Sequence, residues 1–257
     1  MTIAEQIVRA KADLDNVYDI GYQEGRVFGW NLGIEDGIGK ALDIIQSYGT
    51  RKDYASAFAY AAWTDETFRP NYDIKPVGSA AHMFRGTRIV DLEAVLQRQG
   101  VELDTSKATN LNNAFNSSYF QVLPAIDVTG MTTTATNNSA TSMAIQPKTK
   151  TIRRIKSKED LFWSPNCFQF ATGLINLEIE GVIGSEFNVE KCESLSKVSI
   201  TSIVNALSVN TGGFTAKFSL SAVNKAFETS EGANDGSTSA EWATLKATKP
   251  NWEIKTA

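Results

Sequence analysis

The sequence predicts an α+β protein. A helical, coiled-coil-like segment occupies residues 1–48, an aromatic connecting segment 49–80, and a parallel β solenoid 81–257, whose last part, 219–257, forms a helical cap. Three observations predict it. Apolar residues near the start alternate at spacings of four and three. A short pattern, Leu-x-x-Leu-x-Leu in outline, recurs along the remainder of the chain. The last segment changes to a helix–turn–helix pattern with a capping signal.

The 257 residues are 42 % hydrophobic and 21 % charged, enough for a sizeable core. A net charge of −4 and a pI near 5.2 make nucleic acid an unexpected partner. The first residues lack a basic start followed by an apolar stretch, so no secretory signal is expected. No apolar run approaches the ~20 residues that span a bilayer, so membrane insertion is not expected either.

In the first segment, Ile3, Ile7, Ala10, Leu14, Val17 and Gly21 follow a 4-3-4-3-4 spacing, a heptad seam. A second apolar set in another phase runs through Val27, Trp30, Ile34, Ile38, Ala41 and Ile45. Gly21, Gly25, Gly29, Gly33 and Gly37 fall at every fourth position. In a helix each costs roughly 1 kcal/mol relative to alanine. They read either as a stripe for close helix packing or as a broken helix. A narrow stripe with nothing nearby to cover it favours self-association, so Ile3, Ile7, Ala10, Leu14 and Val17 are the expected oligomerisation residues and a homotrimer the favoured state.

The connecting segment carries Tyr54, Phe58, Tyr60, Trp63, Phe68 and Tyr72, interrupted by Pro70 and Pro76. These aromatics are expected to pack onto a neighbouring domain; six together could alternatively form an exposed contact surface.

The repeat is clearest in Leu123-x-x-Ile126-x-Val128, Leu174-x-x-Leu177-x-Ile179 and Leu195-x-x-Val198-x-Ile200. Ile152-x-x-Ile155 is a weaker copy, and Val101-x-Leu103 and Phe218-x-Leu220 read as the strand halves of terminal copies. The aligned ends at Leu103, Val128, Ser157, Ile179, Ile200 and Leu220 are 25, 29, 22, 21 and 20 residues apart. One such turn cannot bury its own apolar face, whereas stacked turns share a core and pair their strands in parallel. Residues 129–150 are mostly small and polar, as an exposed insertion would be.

These copies, with Asn113-Ala114-Phe115-x-x-Ser118, Cys192-x-x-Leu195-x-x-Val198-x-Ile200 and Lys249-Pro250-Asn251-Trp252-Glu253-Ile254, resemble the irregular leucine-rich repeats of bacterial surface antigens. Such repeats also occur in phage and prophage proteins of gut Firmicutes. The opening Met1-Thr2-Ile3-Ala4-Glu5 and the stretch from Trp63 to Ile74 resemble those phage-associated proteins as well. The resemblance implies a leucine-rich-repeat-like solenoid in a virion-associated or host-surface-binding protein. The expected location is therefore the virion, and the expected partners are other virion proteins and a host cell-surface glycan or protein.

In the cap, Ser221–Phe227 reads as a helix, Glu231–Gly236 as a turn, Thr238–Glu241 as a capping box, and Trp252 with Ile254 as a returning strand. Asn234-Asp235-Gly236 reads as a turn in preference to a calcium loop. Catalysis is not expected. His82 is the single histidine, no phosphate-binding motif is complete, and pairs such as Asp65 with Glu66 or Glu178 with Glu180 arise in any chain with 29 acidic residues. No cofactor or metal is expected. Cys167 and Cys192, 25 residues apart, read as buried thiols, although stacked turns could also pair them.

A basic run, Lys148, Lys150, Arg153, Arg154, Lys156 and Lys158, holds no acid. It reads as a solvated strand face, or as a ligand-facing strand of Lys148, Lys150, Arg153 and Lys156 for an acidic glycan or nucleic acid. The whole reads as a non-enzymatic virion component of a tail, baseplate or capsid surface. The alternative is a cell-surface adhesion or receptor-binding module; a glycan-cleaving enzyme is a weaker third reading.

Overall fold

The computed structural model describes residues 54–70 and 73–257. The heptad seam through Ile3, Ile7, Ala10, Leu14 and Val17, the glycine row and Tyr72 lie outside the described residues.

The element order is α1 (Leu92–Gln99), β1 (Val122–Asp127), β2 (Thr151–Ser157), β3 (Asn176–Gly181), β4 (Phe187–Val189), α2 (Lys197–Ala206), β5 (Thr215–Phe218), α3 (Leu220–Ala226), α4 (Ala240–Ala247) and β6 (Glu253–Thr256). Short 3-10 turns at Ser139–Thr141 and Gly236–Thr238 interrupt the loops. Asp91 caps α1 by accepting from the Ala94 N–H at 2.8 Å, and Gly100 ends it at φ +66°. No helix among the described residues is long and apolar enough to cross a membrane.

The expected solenoid does not form. The described strands make two separate small sheets, β1-β2-β3 and β4-β5-β6, each parallel and three-stranded, accompanied by four helices. The copies at Leu123, Ile152 and Leu177 do supply β1, β2 and β3, in register as Leu123↔Ile152↔Leu177 and Ile126↔Ile155↔Ile179. The next copy, Leu195-x-x-Val198-x-Ile200, is not a strand. It enters α2, where Ser196 accepts from the Ser199 N–H at the N-cap. Ile200, Ile203, Val204 and Leu207 are buried at helical spacing, and Val198, expected inward, is 80 % exposed. Val101-x-Leu103 makes one isolated bridge, Ile74↔Leu103, and Leu220 starts α3 instead of ending a strand.

α2 also ends the first sheet chemically. The Ser199 hydroxyl accepts from Leu177 N–H at 2.9 Å and donates to the Ile175 carbonyl at 3.0 Å, and Ser202 Oγ accepts from Ile179 N–H at 2.9 Å. The outer edge of β3 thus meets hydroxyls where a continuing sheet would place another strand.

Upstream, successive passes are joined by turns. Tyr54, Ser56, Phe58 and Tyr60 donate their N–H groups to the carbonyls of Ser79, Ala81, Met83 and Arg85. Ala80, His82, Phe84 and Gly86 donate likewise to Asn110, Asn112, Ala114 and Asn116. Ser56, His82 and Asn113 occupy one left-handed position of this turn, at φ of 58°, 58° and 54°. Inside the ladder, Phe58 stacks on Phe84 (5.0 Å) and Phe84 on Phe115 (6.3 Å). The connecting-segment aromatics Tyr54, Phe58 and Phe68 are therefore buried in one core with the residues that follow, while Tyr60 remains half exposed.

At the C-terminal end, α3 and α4 follow the expected order, with Ser239 capping α4 through Trp242 N–H, and Trp252 precedes β6. Lys249 Nζ donates to the Asn205 carbonyl (2.8 Å) and to that of Leu207, so an ammonium satisfies the carbonyl end of α2. Trp252 Nε1 donates to Ser208 O at 2.8 Å.

Candidate functional site: an aromatic-walled cleft

Two surfaces carry enough side-chain chemistry to be compared. The first is the outer face of β1-β2-β3, which holds the basic run. Lys148 Nζ lies 3.8 Å from the centroid of the Tyr119 ring. Lys150 anchors backbone, donating its N–H to Gln121 O and accepting from Ile175 and Asn176 N–H. Arg153 Nε is 3.7 Å from Glu93, Lys156 is 3.6 Å from Asp127, Lys158 is 3.5 Å from Asp160, and Arg154 pairs with Glu180. The cross-strand register brings the acids alongside the bases, through Asp127↔Lys156↔Glu180. These exposed pairs contribute about 0–1 kcal/mol each, and they neutralise most of the face.

The second surface is a cleft of about 400 Å³ between the loop after β2 and the β4–β5 face. Phe162, Trp163, Phe187 and Phe214 wall it; Asn138, Glu186, Asn188 and Lys217 line its polar parts. Three consecutive N–H groups on one wall are held by hydroxyls from other passes of the chain. Phe162 donates to Thr133 Oγ1 (2.8 Å), Trp163 to Ser185 Oγ (3.1 Å) and Ser164 to Thr141 Oγ1 (2.7 Å). Phe162 meets Phe214 edge-on at 6.4 Å, and Trp163 meets Phe187 edge-on at 5.2 Å. Asn188 pairs with Lys217 in the β4–β5 register, which sets an amide beside an ammonium on the open face.

The electrostatics of the two surfaces differ. Among the described residues, neither Glu186 nor Lys217 has an ion pair or a side-chain hydrogen bond, whereas Arg153, Arg154 and Lys156 on the first sheet each face a carboxylate. A second hollow, lined by Asn166, Gln169, Glu190 and Lys191, shares Pro165 and Asn188 with the cleft, so the two adjoin as one groove.

The groups considered for catalysis have other surroundings. His82 sits in the left-handed turn with Nδ1 buried and unpartnered among the described residues; burial and the nearby Arg85 hold its pKa below the ordinary value. Asp65 accepts from the Val90 (2.6 Å) and Asp91 (3.2 Å) N–H groups ahead of α1. Glu178 is exposed on β3, and Glu180 faces Arg154. Asp235 accepts from the Thr229 N–H and hydroxyl, which lower its pKa and close the turn. Cys167 and Cys192 are buried free thiols, both with raised pKa from desolvation, Cys192 to about 12. No group of three or more His, Cys, Asp or Glu positioned for a metal occurs among the described residues.

In the sequence the cleft leaves only a local signal: Phe162-Trp163 immediately before Ser164-Pro165-Asn166, two large rings at the mouth of a turn. The pass-to-pass register that sets Phe214 and Lys217 opposite them has no counterpart in local pattern.

No protein-family profile, no curated protein and no solved structure matches the chain. The class defined by the described residues is an α/β protein built on two small parallel sheets, with an aromatic cleft beside the second.

Proposed function

We propose that this protein is a non-enzymatic recognition component of a bacteriophage or prophage particle, which self-associates through residues 1–48 and uses the β4–β5 side of the described region to bind a host cell surface. The observation that carries the recognition role is the cleft. Aromatic walls held by backbone hydrogen bonds adjoin a carboxylate and an ammonium that no described residue engages. Preformed apolar walls with a few polar groups suit binding without large reorganisation. Placement on a particle rests on the sequence resemblance alone.

The test uses the labelled full-length chain and purified cell envelopes from a panel of Gram-positive gut bacteria. Saturable binding to at least one envelope, with no release of soluble sugar, is the expected result. Envelope degradation would favour the glycan-cleaving reading, and absence of binding throughout the panel would remove the host-surface role.

A further inference from the structure

We infer that the groove formed by the cleft and its adjoining hollow binds an uncharged oligosaccharide, with one sugar ring against Phe162 and Phe214 and flanking hydroxyls held by Glu186, Asn188 and Lys217. This deepens the recognition reading above and rests on it.

Three features of the groove select this ligand. The first is shape and surface. Half-buried Phe162 and Phe214 offer ring surface at the cleft, which suits the C–H face of a pyranose. The hollow beyond Pro165 and Asn188 provides room for further residues of a chain and is lined by the amides of Asn166 and Gln169. Primary amides both donate and accept, as hydroxyl-rich ligands require.

The second is charge. Glu186 and Glu190 are offset by Lys191 and Lys217 along the groove, so it holds no excess of either sign to favour an ionic ligand. Each of these groups can still hydrogen-bond a neutral hydroxyl.

The third is the side-chain pairing on the wall formed by β4 and β5. Asn188 and Lys217 are register partners, so an amide and an ammonium stand side by side next to Phe187 and Phe214. Donors and acceptors beside ring surface suit a ligand that carries its own ring and hydroxyls. β4 is the end strand of its sheet, so an added peptide strand is the competing occupant that the hexapeptide below tests.

The experiment is calorimetric titration of the full-length protein with neutral hexasaccharides of glucose, galactose, mannose and N-acetylglucosamine, in parallel with an uncharged hexapeptide. Three variants accompany it: Phe162→Ala, Lys217→Ala and, on the other sheet, Arg153→Ala. Lys217 and Arg153 are exposed, so their replacement leaves the fold intact, and thermal melts check Phe162→Ala. The expected result is binding of at least one hexasaccharide, weakened about tenfold by Phe162→Ala and severalfold by Lys217→Ala, and unchanged by Arg153→Ala. Three results overturn the inference: no hexasaccharide binds, Lys217→Ala binds as tightly as the parent, or the peptide alone binds. If envelopes still bind the parent chain when the sugars do not, the inference fails while the recognition reading stands. If envelopes do not bind either, both fail.

Discussion

Ser199 Oγ accepts from the Leu177 N–H at 2.9 Å while donating to the Ile175 carbonyl at 3.0 Å, so one hydroxyl on α2 occupies both hydrogen-bonding directions at the edge of β3. Ser196 Oγ lies 3.0 Å from the same atom. The arrangement uses the full capacity of a hydroxyl, one donor and two acceptor sites. Ser199 is buried, so Ser199→Ala leaves the Leu177 N–H unsatisfied away from water. The expected loss is about 1–3 kcal/mol, read by urea unfolding. Ser202→Ala, which exposes Ile179 N–H at a more accessible position, is expected to cost less.

Gly184 is a point of closest approach between passes of the chain. A Cβ placed there meets the carbonyl oxygen of Glu159 at far below van der Waals distance. Backbone cannot yield as a flexible side chain can, so Gly184→Ala is expected to lower the melting temperature by several degrees, corresponding to a penalty of about 1–3 kcal/mol. Gly100→Ala is the comparison. Its Cβ meets nothing within 4 Å, and only the φ of +66° opposes it.

Cys167 and Cys192 are expected to resist alkylation in the native protein at pH 8 and to react in denaturant, because burial raises both pKa values. The linkage has a definite sign. Below the unfolded value of 9.0 both states hold their thiol protons; above it the unfolded chain releases them first. Stability is therefore expected to fall as pH rises above about 9, and the fall should shrink in Cys192→Ala once compared at equal neutral-pH stability.

His82 predicts the opposite trend at lower pH. Burial first, and Arg85 second, depress its pKa below 6.5. The unfolded chain therefore takes up a proton that the folded chain refuses, and stability present above pH 6.5 is lost as pH falls through that region. His82→Asn should flatten the melting-temperature profile between pH 5.5 and 7. Asparagine suits the site because it tolerates the left-handed φ of 58°.

The legible parts of the fold were those fixed by local pattern. Leu123, Ile126, Ile152, Ile155, Leu177 and Ile179, the apolar positions of three successive copies, are buried in register across the first sheet. The Leu195–Ile200 copy has the same outline but belongs to a helix. Ser196 offers a cap, and Ile200, Ile203, Val204 and Leu207 continue at helical spacing beyond the window that the repeat occupies. The turn ladder through Ser56, His82 and Asn113 was not legible, because its pairing comes from neighbouring passes of the chain and not from side-chain periodicity. The same holds for the cleft, whose two sides are separated by about 50 residues between Phe162 and Phe214.

The measurement that bears most directly on the recognition role is saturation binding of full-length protein to host-type envelopes, run on the parent, Lys217→Ala and Arg153→Ala side by side. The account predicts saturable binding by the parent, a severalfold weaker Lys217→Ala and an unaltered Arg153→Ala. Binding that depends on Arg153 and ignores Lys217 would move recognition to the first sheet, and no saturable binding by the parent would contradict the account outright.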